Sequence, residues 1–197
     1  MGAAVDGLLL AGGCSCRAGV FKMTAEVGGK PLLLWGLETL AAVCPRVIVV
    51  AGSGAGQIEK LVAGMPGVEL VENRDFAAGM LSSVQAGVRR VCETRFFLLP
   101  GDMPLVQASV LRRLLAAGGD ADIVVPACNE RRGHPVLLPA SLIPAILAEP
   151  PGSNLGHIIR RCGSVVVEVD DPGILADLDT PADLERLDSA LRARRRQ

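Results

Sequence analysis

The feature that most constrains this chain is a set of short, predominantly apolar runs separated by longer segments of helical period. Gly7 to Ala11, Val47 to Ala51, Val68 to Val71, Phe96 to Leu99, Ile123 to Val125 and Val165 to Val169 read as strands. None alternates apolar with polar residues. That marks strands covered on both faces, which parallel sheets with crossover helices produce. The intervening helical segments are Pro31 to Val43, Gln57 to Ala63, Leu81 to Cys92, Ala108 to Ala117, Leu142 to Leu147, Asn154 to Arg161 and Pro181 to Arg194. The expectation is one three-layer α/β Rossmann-like sandwich with a mostly parallel sheet, spanning residues 1–197 as a single domain. In such sheets ligands bind beyond the carboxyl ends of the strands, so the residues after each run are where chemistry is sought.

Composition removes several classes. Half of the residues are hydrophobic, enough for a large core. The net charge is −1 and only 3% of residues are aromatic, which disfavours a nucleic-acid partner. The longest uncharged stretch, Gly133 to Ala148, has sixteen residues including Pro135, Pro139 and Pro144, so no membrane span is expected. The start lacks a basic segment and carries Asp6 in its apolar run, which argues against a signal peptide. The 6 cysteines (Cys14, Cys16, Cys44, Cys92, Cys128 and Cys162) form no C-x-x-C pair, which fits reduced thiols in a cytoplasm.

The strongest local signal follows the first run, where Leu10 and Ala11 lead into Gly12, Gly13, Cys14, Ser15, Cys16, Arg17, Ala18, Gly19, Val20, Phe21 and Lys22. Paired glycines let backbone N–H groups approach an anion, and Arg17 and Lys22 add cations. A solvated glycine-rich turn would have the same composition. A Walker P-loop is excluded because Gly19 precedes Val20, and Gly29-Lys30 precedes Pro31. After the second run, Gly52, Ser53, Gly54, Ala55, Gly56 and Gln57 mimic a dinucleotide fingerprint with Glu72 downstream. The third glycine is replaced by Gln57, however, so a flexible turn accounts for the segment better. Asp102, in Pro100-Gly101-Asp102-Met103-Pro104, sits at the end of a buried strand, where a lone charge is costly. It reads either as a Mg²⁺ ligand sharing the ion with substrate phosphates or as the cap of the helix near Gln107.

Together LLLAGGCSCRAGVFK, GGKPLL, NRDFAAGMLSSVQAGV, LLPGDMPLV, RRGHPVLL and DDPGILADLDTPADLE resemble the molybdenum cofactor nucleotidyltransferases, most closely the cytidylyltransferase branch. This resemblance spans almost the whole chain and implies transfer of CMP from CTP to molybdopterin or its molybdenum-loaded form, with release of pyrophosphate. By motif it implies that Leu10, Ala11, Gly12, Gly13, Ser15, Arg17, Gly19 and Lys22 hold the nucleotide, joined by Asn73, Gly79, Ser82 and Ser83. Arg17, Lys22 and Asp102 would carry catalysis. Asp102 and Asp179 would hold Mg²⁺, with Asp177 as the alternative second ligand, and Gly133, His134 and Pro135 would border the second substrate. A molybdenum hydroxylase or its chaperone would receive the product. Two departures matter: Gly12 follows the guanylyl pattern where the cytidylyl branch has Ala, and Ala18 replaces the usual Met. GTP therefore stands beside CTP as donor, and a related sugar-nucleotide transferase, a non-catalytic nucleotide-binding module and an NAD-linked oxidoreductase remain as rival classes.

Overall fold

The computed structural model describes residues 4–12, 21–177 and 187. Its elements run β1 (Asp6–Ala11), β2 (Glu26–Val27), β3 (Lys30–Pro31), α1 (Leu32–Ala41), β4 (Arg46–Ala51), α2 (Ala55–Val62), β5 (Val68–Glu72), α3 (Met80–Val88) and β6 (Arg95–Pro100). There follow α4 (Ala108–Ala117), β7 (Val124–Cys128), β8 (Arg131–Arg132), β9 (Val136–Pro139), α5 (Ile143–Ala148), α6 (Leu155–Cys162) and β10 (Val165–Glu168). The main sheet has the order β10-β7-β9-β6-β1-β4-β5, with β8 attached to β7. β6, β1, β4 and β5 pair in parallel, as do β7 and β10. The α/β sandwich with a mostly parallel sheet is therefore present.

Why the runs lack alternation is visible in β1. Leu9 and Ala11 pack with α1, α2 and α4 on one face, while Leu8 and Leu10 pack with α3, α5 and α6 on the other. Leu8, Leu9 and Ala11 are fully enclosed. Burying each leucine contributes about 1.5–3 kcal/mol, and neither face offers water to a polar residue. Leu187, the described member of the expected terminal helix, is helical and packs on the first face. The remainder of Pro181 to Arg194 lies outside the described residues.

Three features differ from the expectation. First, β9 lies inside the sheet and runs antiparallel to β6 and β7. Its four residues follow Pro135 and end on Pro139, and flanking prolines read as a turn or an edge rather than a central strand. Second, β2 and β3 form a small antiparallel hairpin that periodicity cannot signal. Third, β10 is not covered on both faces, because it is an edge strand whose Val165 and Val166 stay exposed at 37% and 44%. No helix among the described residues is long and apolar enough to cross a membrane. Cys44, Cys92, Cys128 and Cys162 are free thiols.

Candidate active site

From β1 the chain first builds outward to β4 and β5, then returns to place β6 on the other side of β1. The strand order reverses between β1 and β6, the point where α/β sheets open a ligand crevice. Gly12 follows β1 and Asp102 follows β6, and Gly101 N–H donates to the Leu10 carbonyl at 2.8 Å across the gap. A cavity of about 310 Å³ opens here, bordered by Leu10, Gly12, Gly79, Ser83 and Asp102, with Met23 and Phe76 as apolar wall.

The Asp102 carboxylate is not alone. Lys22 Nζ lies 3.0 Å from Asp102 Oδ2, with side-chain exposures of 12% and 26%. Asp102 does not cap α4 either, whose N-cap residue is Gln107 with no side-chain cap bond. The cation of the first loop and the carboxylate of the fourth expected run thus meet across 80 positions of sequence.

Asn73, expected at the nucleotide, is buried, and its side chain is committed to protein. Its Nδ2 donates to Ser82 Oγ at 2.8 Å and to Ser83 Oγ at 3.0 Å, while its Oδ1 accepts from the Asp75 N–H at 3.0 Å. Ser82 Oγ is also within 2.9 Å of the Asp75 carbonyl and 2.8 Å of the Gly79 carbonyl. Asn73 and Ser82 therefore brace the turn into α3, and Ser83 is what they present. Ser83 Oγ accepts from Asn73, and Ser83 borders the cavity. Gly12 faces it so closely that a Cβ there would lie 2.8 Å from Ser83 Oγ. Ala11 is fully enclosed in the core rather than at the cavity wall.

The dinucleotide look-alike has a packing explanation. A Cβ on Gly52 would meet Phe76 Cβ at 2.8 Å and the Gly12 carbonyl at 2.9 Å, so this glycine lets two loops touch. Glu72 is exposed and pairs loosely with Arg74 at 4.0 Å.

A second cavity, about 420 Å³, adjoins the first on the α3 side. Leu81, Val84, Leu98 and Val136 form its floor, Gly133 and His134 one wall, and Arg132 and Arg160 belong to its lining. Pro135 is not part of that lining. Gly133 is held by packing, since a Cβ there would strike the Ile174 carbonyl at 2.3 Å. Burial lowers the His134 pKa below its ordinary value, against the pull of Asp102, a hydrogen bond to the Leu98 backbone, and Asp177. Its Nδ1 is buried without a hydrogen-bond partner. Sequence reasoning named Gly133 and His134 but missed the rest of this lining, because its apolar residues look like core and Arg132 and Arg160 look like surface.

Gly13, Ser15, Arg17, Gly19 and Asp179 lie outside the described residues. Among the described residues no three His, Cys, Asp or Glu side chains cluster as a metal site. Asp102 is a carboxylate on the crevice, a hard oxygen donor of the kind that divalent ions accept.

Residues 7–166 match the model of the MobA-like NTP transferase domain. The chain belongs to that family. This MobA-like domain is 28% identical over 180 residues to the molybdenum cofactor cytidylyltransferase of Escherichia coli K12, covering 91% of this chain and 93% of the relative. It is 32% identical over 196 residues to the molybdenum cofactor guanylyltransferase of Cereibacter sphaeroides, covering 94% and 96%. A Mycobacterium tuberculosis H37Rv protein crystallised with manganese shares the fold, with a TM-score of 0.77, 22% identity and coverage of 95% and 99%. The MobA-like domain is a nucleotidyltransferase.

Proposed function

We propose that this MobA-like domain transfers CMP from CTP to the terminal phosphate of molybdopterin or its molybdenum-loaded form, releasing pyrophosphate. The observation that carries the reading is the Lys22–Asp102 pair, set at the switch point beside a triphosphate-sized crevice and next to a second cavity of different chemistry. CTP is preferred to GTP because the GMLSSVQAG, RRGHPVLL and DDPGILADLDTPADLE blocks follow the cytidylyl branch. Gly12 has its own reason to be glycine, the nearness of Ser83 Oγ, and so is a weak vote for guanine.

A phosphate monoester is already an anionic nucleophile, so no side-chain base is required. One of its oxygens bonds to the α-phosphorus of CTP as the bond to the bridging oxygen breaks, and the electron pair leaves with pyrophosphate. The protein's work is alignment and charge neutralisation. Lys22 and Arg17 would meet the phosphates, Ser83 would donate to the nucleoside, and the glycines of the first loop would leave room for close approach. His134 would border the acceptor ring, with Arg132 and Arg160 near its anionic end. Mg²⁺, held by Asp102 and by Asp179 or Asp177, supplies charge neutralisation on the triphosphate when bound.

The test is thermal stabilisation by CTP, GTP, ATP and NAD with and without Mg²⁺. A ligand at about 100 times its Kd adds about 2.7 kcal/mol, or roughly 5–11 °C for a chain of this size. A Mg²⁺-dependent shift with CTP above all, followed by pyrophosphate release on adding molybdopterin, is the expected result. A larger shift with GTP would move the reading to the guanylyl reaction, and a shift with NAD alone would overturn it.

A further inference from the structure

Gly12, Ser83 and Asp102 belong to the first cavity, and His134, Arg132 and Arg160 to the second. Met80 belongs to both, and it is the one described residue that lines the two together. It opens α3 directly after Gly79, whose φ of +100° sets a sharp entry into the helix. That turn is fixed by the hydrogen bonds from Gly79 N to the Phe76 carbonyl at 3.2 Å and from Ser82 N to the Gly79 carbonyl at 3.1 Å. The backbone of Met80 is therefore held while its side chain is bare, at 66% exposure, against 4% for Met23 and for Met103.

This large apolar side chain stands in water on a braced turn with a cavity on either side of it. A ligand in either cavity would cover one side of it, and ligands in both would cover it fully. The thioether is polarizable and adapts its shape, which suits contact with a flat heteroaromatic ring on either side. Resting on the transferase reading above, we propose that Met80 is a binding residue shared by both substrates. It contacts the nucleoside triphosphate from one side and a flat heterocyclic phosphate monoester from the other, so that each ligand completes the surface that holds its partner. The two bindings are then positively coupled, and by linkage the coupling is the same whichever ligand arrives first.

The experiment uses the full chain with Mg²⁺, α,β-methylene-CTP as unreactive donor and molybdopterin as acceptor. Mild hydrogen peroxide oxidises the Met80 thioether to the sulfoxide, and peptide mass spectrometry follows the rate. The rate is followed with the nucleotide analogue alone, because the acceptor's sulfurs would consume the peroxide; it is expected to fall, and an unchanged rate overturns the proposal. In binding titrations the analogue is expected to tighten the acceptor about fivefold or more, the scale of ordinary coupling between sites. Met80→Ala should bring that factor close to one while keeping the melting temperature, and Met80→Leu should restore most of it. Full coupling in Met80→Ala overturns the proposal. A wild-type chain that binds no triphosphate, seen separately as no thermal shift, defeats the transferase reading itself and the proposal with it.

Discussion

The two ends of β1 handle buried polar groups in opposite ways. At its start, Asp6 is 1% exposed, and its Oδ2 accepts from Cys92 N at 2.8 Å, Glu93 N at 3.2 Å and Arg46 Nη1 at 3.3 Å. Arg46 in turn pairs with Glu69, which also takes Arg90 at 2.7 Å. Arg46 keeps its charge more firmly than usual because of its hydrogen bond to Glu69, while that bond and Arg90 outweigh burial in holding Glu69 below the ordinary carboxylate value. At the other end, Ser83 and Asp102 border an open crevice, Lys22 pairs with Asp102, and the buried His134 Nδ1 has no hydrogen-bond partner. Saturated polar groups hold a fold, whereas groups with bonding capacity left over are placed for a ligand.

The contrast can be broken from either end. Removing the crevice charges should have the largest effect: Asp102→Ala or Lys22→Ala is expected to lower turnover about 10²- to 10³-fold, the usual cost of one charge-stabilising contact. Circular dichroism and melting should show either variant folded, and near-normal turnover would reject its role. Asp6→Ala should do the reverse. Two buried N–H groups and Arg46 lose their acceptor, so stability is expected to fall by about 3 kcal/mol in denaturant titration, with activity retained below the melting point.

Gly12→Ala probes the fit between the crevice loops. The new methyl forces Ser83 Oγ away from Asn73, and the loss of one aligned donor, about 1 kcal/mol, should lower kcat/KM about fivefold. The smallest effect is that of pH on His134. Its folded pKa is depressed, so the unfolded chain binds the extra proton first. Its contribution to stability is complete above about pH 6.5 and declines as pH falls below that value. Replacing His134 by Asn should flatten this part of the stability profile, measured by chemical denaturation between neutral and mildly acidic pH.

Much of the scaffold was legible because it is periodic. The runs at Leu8, Ile48, Phe97 and Val124 are long enough to show that no face is solvated. The Lys22 and Asp102 placements followed from the rule that chemistry gathers beyond strand ends. What stayed hidden depends on side chains brought together from far along the chain. That Asn73 braces while Ser83 presents is a matter of hydrogen-bond geometry, invisible in NRDFAAGMLSSV. The second cavity joins residues of α3, β6, β7, β9 and α6, none unusual where it stands, and Met80 reads as an ordinary helix residue until its exposure is known.

The reversed direction of β9 has a wider consequence. In a fully parallel sheet only segments leaving a strand can reach the working rim, and each such segment must also carry the chain back into a crossover. β9 pairs Val136 with Leu98, near the end of β6, and Pro139 with Arg95 at its start. The segment entering β9, Gly133-His134-Pro135, therefore arrives at the rim with no crossover of its own to make, and it can be short, tightly packed and chemically specialised. One strand turned around gives the sheet a second doorway to its rim, through which the wall of the second cavity can be changed without disturbing the loops around the first.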